Sequence, residues 1–166
     1  MTLKKLSWMP AAILMLVIFY FSSKTADVSG ESSLGISKAI LHLYESLTKI
    51  HWQQGYRDEI LGVLDHIVRK TAHFTEYAIL ASAFAFHFTV WKKKAWQRIS
   101  MPILLAGLYA ASDEYHQTFI AGRSGQVSDV LLDATGALVG ALIFFLLVYL
   151  MQRRKQKVLS TSTFQR

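Results

Sequence analysis

Carboxylates set inside sequence that is otherwise apolar enough for a membrane restrict this chain more than any other feature. They concentrate between Ser112 and Gly140, SDEYHQTFIAGRSGQVSDVLLDATGALVG. An acid at the centre of a bilayer costs at least roughly 2.5–3.5 kcal/mol, so such groups face a bundle interior or a water-filled cavity. Asp113, His116 and Gln117 fall at i, i+3 and i+4 and share one helical face, which continues back through Ala110 and Ala106. Asp129 and Asp133 are likewise four apart, on a stripe that runs on through Gly136, Ala137 and Gly140. Small residues at this spacing let membrane helices approach closely. The polar groups are therefore expected to face neighbouring helices rather than lipid.

The chain has 166 residues, 52% of them hydrophobic and 17% charged, with positive mean hydropathy and no cysteine. That is one domain's worth of sequence, too apolar for a typical soluble domain. Disulfides and cysteine-ligated metals are excluded. The net charge of +7 is gathered at Lys4 and Lys5, at Lys92 to Arg98 and at Arg153 to Lys157. Each cluster borders an apolar run, which is the topology signal of an inner-membrane protein and not a nucleic-acid surface.

Four spans are predicted, at about 6–23, 71–90, 99–118 and 129–151. The first is expected to be retained, because cleavage after Ala26 would put Lys24 at the −3 position of a signal peptide. Asp27 to Ser33 reads as a Gly/Ser-rich loop. Ile36, Ile40, Leu43, Tyr44 and Leu47 then recur at helical spacing, with Lys38, Glu45 and Lys49 on other faces, so an amphipathic helix of about four turns is placed on the outer membrane surface. After a turn at Gln53 to Gly55, Asp58 and Glu59 suit a helix N-terminus, and the stripe Ile60, Leu64, Ile67, Val68 leads without a breaker into the second span. The basic loop Lys92 to Arg98 closes that span, with Trp91 and Trp96 as interfacial anchors. Pro102 is placed in the first turn of the third span, where proline is tolerated. Of the 18 Lys and Arg residues, 11 lie in the amino terminus, the 92–98 loop and the tail, so both termini are assigned to the cytoplasm. Residues 1–151 form one membrane domain and 152–166 a basic cytoplasmic tail, with a Ser/Thr stretch at 160–163 expected to be disordered.

This topology brings Lys70, His73, Glu76, Asp113, His116, Arg123, Asp129 and Asp133 to one depth, the outer third of their helices or the outer loop. Three helices do not place their ionisable residues at one level by chance; a shared site facing the outer surface requires it.

KTAHFTEYA at Lys70 to Ala78, SDEYHQTFIAGRSGQVSDV at Ser112 to Val130 and the LLDATGALVGA that follows resemble the VanZ-like family of small bacterial membrane proteins. The resemblance covers nearly the whole chain and is strongest from Lys70 to Gly140. It implies the pattern positions Lys70, His73, Tyr77, Asp113, Glu114, His116, Gln117, Arg123, Asp129 and Gly136, and a link to low-level teicoplanin resistance. Where the family pattern often has Asn after the Asp-Val pair, this chain has Asp133, an added carboxylate.

Glu76, Asp113, Glu114, Asp129 and Asp133 against Lys70 and Arg123 leave more acids than bases at the site. Either some acids are protonated or a cation fills the site. His73, Glu76, Asp113, His116 and Asp129 offer ligands for a divalent metal such as zinc or manganese. The alternative is a structural network in which Lys70 and Arg123 pair with Asp129 and Asp113. Nucleophilic catalysis finds no serine elbow and no cysteine, which leaves His73, Glu76, Asp113 and His116 as the candidates for acid/base or metal-assisted hydrolysis of a lipid-linked phosphate. Arg123 in the AGRSG turn suits phosphate or carboxylate recognition. His42, His51, His66 and His87 read as surface or interfacial, and the Phe84, Phe86, Phe88 and Phe144, Phe145 groups as lipid-facing bulk.

The sequence thus predicts an all-α, polytopic four-helix membrane bundle with an extracytoplasmic amphipathic helix. Its ligand-binding residues are Lys70, His73, Tyr77, Asp113, Glu114, His116, Gln117, Arg123, Asp129 and Asp133. Its expected partner is a cell-envelope lipid, wall precursor or lipophilic antibiotic at the outer leaflet; a lipid-phosphate hydrolase and a structural subunit of a membrane-protein complex are the alternatives.

Overall fold

The computed structural model describes the backbone of residues 2–164 and the side chains of residues 4–156, and every described element is helical. Six helices follow one another: α1 (Thr2–Leu6), α2 (Met9–Ser22), α3 (Ala26–Thr48), α4 (Gln54–Val90), α5 (Ala95–Gln117) and α6 (Val127–Phe164). The unbroken helix expected through the second span is present as α4, whose 37 residues reach about 55 Å at 1.5 Å each.

Two segments are long and apolar enough to cross a membrane, Lys4–Ser22 and Val127–Gln156. The segments 71–90 and 99–118 fall short of that measure because they carry the polar residues of the site. Large apolar side chains stay exposed on α2 and α6, among them Leu16 at 70% and Leu131 at 63%. In water such a surface would be covered by association.

Small residues set the packing. Gly136 lies against the backbone of Phe74 and Gly140 against the backbone of Ala78, so α4 and α6 run parallel in near backbone contact. Ser82 bridges the crossing, its single Oγ–H shared between the Ala78 carbonyl at 2.9 Å and the Gly140 carbonyl at 3.0 Å. On α5, Ala106 and Ala110 are fully buried, as the small-residue stripe predicts. Tyr77, Leu80, Ala81, Ala137 and Ala141 complete the core with Ala11 and Ile18 of α2. Phe84 packs against that core, so it is not simply lipid-facing bulk. The α2 helix lies alongside α5, with Tyr109 Oη donating to the Met15 carbonyl at 2.6 Å and the Phe19 ring 4.8 Å from that of His116. At the other end Ser7 Oγ sits 2.9 Å from His87 Nδ1 and Trp91 Nε1 donates to the Lys4 carbonyl at 3.2 Å. The amino-terminal lysines and the Lys92 cluster therefore occupy the same end of the bundle.

Several local expectations are corrected. Asp27 to Ser33 is not a loop: α3 begins at Ala26 and runs helical through this stretch, with Ser33 and Ser37 on its buried face. Ser33 donates to Asp65 at 2.6 Å, and Ser33, Ser37 and Leu41 are the buried positions. The apolar stripe stays outside the bundle, free to meet lipid, with Ile36, Leu43 and Leu47 at 55%, 60% and 76% exposure. The turn before α4 lies at 49–53, where Lys49 takes a positive φ of 57°, so Gly55 is helical and Asp58 and Glu59 fall beyond the first turn. Residues 95–98 are also helical, because Gln97 Oε1 accepts the Lys94 N–H at 3.2 Å and starts α5 early. Pro102 consequently sits inside α5, where it deprives the Arg98 carbonyl of its partner. At the carboxyl end the α6 backbone stays helical through 160–163, where disorder was expected.

Candidate functional site

A pocket of about 250 Å³ opens at the end of the bundle where α5 finishes and α6 begins. Four helices and the 118–126 turn build it. From α4 come His66, Arg69, Lys70 and His73, at i, i+3, i+4 and i+7 and therefore on one stripe. Gln117 closes it from α5 and Asp129 from α6, while Gly122, Arg123, Ser124 and Gln126 form one rim. The start of α3 forms the opposite wall through Ala26 and Ser29.

The rim turn is held from both sides. Ala26 N–H donates to the Ala121 carbonyl at 3.2 Å, and Gly122 adopts φ +75°, a left-handed conformation that glycine takes without strain. Glu114, buried at the end of α5, accepts the Gln126 N–H at 3.0 Å and so ties α6 to α5. Gly125 passes so close to the Glu114 carbonyl that a side chain would not fit. Glu114 therefore closes the turn, whereas Arg123 is displayed by it.

Charge is unevenly distributed. Lys70 Nζ pairs with Asp129 Oδ1, the one acid on the pocket wall. Arg69 pairs with Asp65 at 3.0 Å, four residues back on α4. Arg123 has no ion pair and no side-chain hydrogen bond among the described residues, and its pairing with Asp113 in a structural network is not formed. Burial pushes its guanidinium pKa below the ordinary value, with the largest opposing effect from Asp113. A half-buried guanidinium with five free N–H donors is arranged for an arriving anion.

The remaining expected site residues lie behind this wall. Asp113 is 4% exposed and accepts from Gln117 Nε2 at 3.0 Å, while its Oδ1 has no partner. Tyr77 and Asp133 are buried at 0% and 1% exposure; the Tyr77 hydroxyl lies beside Asp113 without a well-formed hydrogen bond, and neither Asp133 oxygen has a partner. His73 Nδ1 is 3.8 Å from Glu76 Oε2, too far for a hydrogen bond. His116 turns towards Phe19 of α2, and its Nδ1 is unpartnered. Among the described residues no three His, Asp or Glu side chains are grouped to hold a metal ion.

Lys70, His73, Gln117, Arg123 and Asp129 thus meet at the pocket, with Tyr77, Asp113 and Asp133 beneath them. The sequence reading missed Arg69, His66 and the α3 wall. The first two were visible as the i, i+3, i+4, i+7 stripe with Lys70 and His73; Ala26 and Ser29 were hidden by reading the start of α3 as a loop.

The VanZ/LLP1 family model matches residues 7–149, which covers all of these positions. The chain belongs to the VanZ/LLP1 family. No curated protein and no solved structure matches it. In this VanZ-like membrane protein the pattern positions divide by role in the structure: Lys70, His73, Gln117, Arg123 and Asp129 line the pocket, Glu114 closes its rim, and Gly136 gives the close helix contact that aligns α4 with α6.

Proposed function

We propose that this protein crosses the bacterial inner membrane four times with both termini in the cytoplasm, and that its pocket binds the phosphate-bearing headgroup of an envelope lipid or lipid-linked wall precursor at the outer leaflet. The observation that carries the reading is the unpaired Arg123, displayed over a pocket whose single wall acid is already neutralised by Lys70. Phosphate and carboxylate are the groups a planar guanidinium recognises through paired hydrogen bonds.

Sidedness follows from charge. The pocket lies at the end of the bundle away from Lys4, Lys5, the Lys92 cluster and the basic stretch after Met151, and basic clusters stay on the cytoplasmic side. The α3 stripe of Ile36, Leu43 and Leu47, exposed on the part of the chain that leads to the pocket, supports contact with the lipid surface. A protein that engages a wall precursor or its lipid carrier also fits the family's association with teicoplanin resistance.

Two experiments test this. A cysteine at Ser124 is expected to react with an impermeant maleimide in intact cells and one at Ala95 only after permeabilisation; the reverse pattern removes the outer-leaflet site. Native mass spectrometry of the purified protein should show a retained phosphate-bearing lipid, reduced at least tenfold in Arg123→Gln at equal folded yield. Identical lipid retention by the two proteins would refute the role of the pocket.

A further inference from the structure

The pocket residues and the unpartnered groups behind them form two layers. On each of three helices an outer residue is followed, four positions deeper, by an inner one: His73 by Tyr77 on α4, Gln117 by Asp113 on the antiparallel α5, and Asp129 by Asp133 on α6. Four residues of helix are about 6 Å. The outer layer, with Lys70, Arg69 and Arg123, is basic. The inner layer contains acceptors and a phenol: Tyr77, Asp113 and Asp133 are at most 4% exposed. The Tyr77 hydroxyl, Asp113 Oδ1 and both Asp133 oxygens make no well-formed hydrogen bond, and the hydroxyl lies close enough to Asp113 to interact with it and still accept from a ligand. No Lys or Arg is in ion-pair contact with Asp113 or Asp133 among the described residues.

Deepening the proposed reading of the pocket, on which it rests, we infer that the site recognises an aminophosphate: a phosphate or phosphodiester held by Arg123 in the outer layer, with a primary ammonium one short spacer away in the inner layer. Chemistry selects the primary amine. An ammonium brings three N–H donors and no acceptor, the complement of a layer whose free atoms are carboxylate oxygens and a hydroxyl. A quaternary ammonium brings no donor and leaves the same oxygens unsatisfied. Spacing agrees, because one helical turn separates the layers and a two-carbon link separates nitrogen from phosphate ester in an ethanolamine phosphate. Gln117 is the partition: it lines the pocket and donates to Asp113 Oδ2 at 3.0 Å, so an entering amine takes the place of its amide. Free aminophosphates and aminophospholipid headgroups share this chemistry.

The test is a ligand series on the intact protein in detergent, using inorganic phosphate, phosphocholine and phosphoethanolamine as soluble probes in isothermal titration. Phosphoethanolamine is expected to bind at least tenfold more tightly than either of the others, and Asp133→Asn to lose that preference. Equal affinities for phosphoethanolamine and phosphocholine, with phosphate still bound, overturn the inner amine site while the anion-binding pocket stands. Absence of binding by all three, with Arg123→Gln unchanged from the parent in its lipid content, overturns both. The comparison between probes uses the unaltered protein, so it stands even where Asp133→Asn folds poorly. Nanodiscs of phosphatidylethanolamine or phosphatidylcholine then identify the source. Competition against soluble phosphoethanolamine by the first lipid alone assigns a membrane headgroup; competition by neither assigns a free aminophosphate; equal competition by both overturns the amine selectivity.

Discussion

The two glycine environments within the bundle predict opposite outcomes for one substitution. A Cβ built on Gly140 would collide with the carbonyl oxygen of Ala78 and lie 2.5 and 2.6 Å from its carbonyl carbon and Cα. Those are backbone atoms, so α4 and α6 would have to separate by about an ångström. Overpacking of this kind costs roughly 1–3 kcal/mol. The Ser82 hydrogen bond to the Gly140 carbonyl would be weakened, worth about another 0.5–1.5 kcal/mol. Replacing a helical glycine by alanine returns about 1 kcal/mol of propensity. The net expectation for Gly140→Ala is a loss of about 2 kcal/mol, or about 4–8 °C in Tm for a chain of this size. Gly107 of α5 has open space where its Cβ would be, so Gly107→Ala keeps the propensity gain alone and should be neutral or up to about 1 kcal/mol stabilising. Thermal unfolding of both variants in one detergent decides the matter. Equal shifts would show that α4 and α6 do not meet at Gly140.

Gly122→Ala places a Cβ 2.9 Å from that of Ala26 and forces a non-glycine residue to φ +75°. It is expected to cost about 1–3 kcal/mol in unfolding measurements and to loosen the pocket rim, seen as faster proteolysis at 118–126. Lys70→Gln should lower folded yield more than Arg123→Gln, since Lys70 pairs with Asp129 whereas Arg123 has no internal partner; fluorescence-detected size-exclusion chromatography of matched membranes reads this directly, and equal losses would mean that Arg123 is a brace.

The helix content and the small-residue seams were legible because both are periodic. Ala106, Ala110, Gly136, Ala137 and Gly140 repeat at helical spacing, and that spacing is enough to orient a face. The residues brought together at the pocket were legible for the same reason, through the phase of Lys70, His73, Gln117 and Asp129. What periodicity does not encode was misread. Gly30, Ser32 and Ser33 look like a loop by composition, but composition does not record that α4 offers Asp65 to Ser33 or that small side chains let α3 approach it. Composition likewise does not record that Ser37 is a position α3 buries against its neighbour. Helix starts depended on single bonds, such as Gln97 to the Lys94 N–H, that no stripe announces. Nor did charge counting show which cation would be free: Arg69 is held by its own helix and Lys70 by α6, leaving Arg123.

The two acids on α6 differ in role, Asp129 bracing the fold and Asp133 not, and this yields the last prediction. Asp129 is paired with Lys70 across α4 and α6, so Asp129→Asn leaves a partly buried ammonium without its counter-charge and should cost about 1.5–3 kcal/mol. Asp133, one turn deeper and 1% exposed, has neither oxygen bonded. Such a group weakens the empty protein, because burying a polar atom without a partner costs roughly 1–3 kcal/mol. Asp133→Asn keeps the shape and removes the ionisable group, so the ligand-free variant should be as stable as the parent or more so. A purely structural network predicts the opposite, namely that both acids are needed for folding. Stripping lipid by detergent exchange and then comparing unfolding of the two variants separates these accounts. If Asp133→Asn loses as much stability as Asp129→Asn, the inner layer is scaffold; if it gains stability while losing the preference for an amine-bearing phosphate, Asp133 is a group that costs the fold stability and serves the ligand.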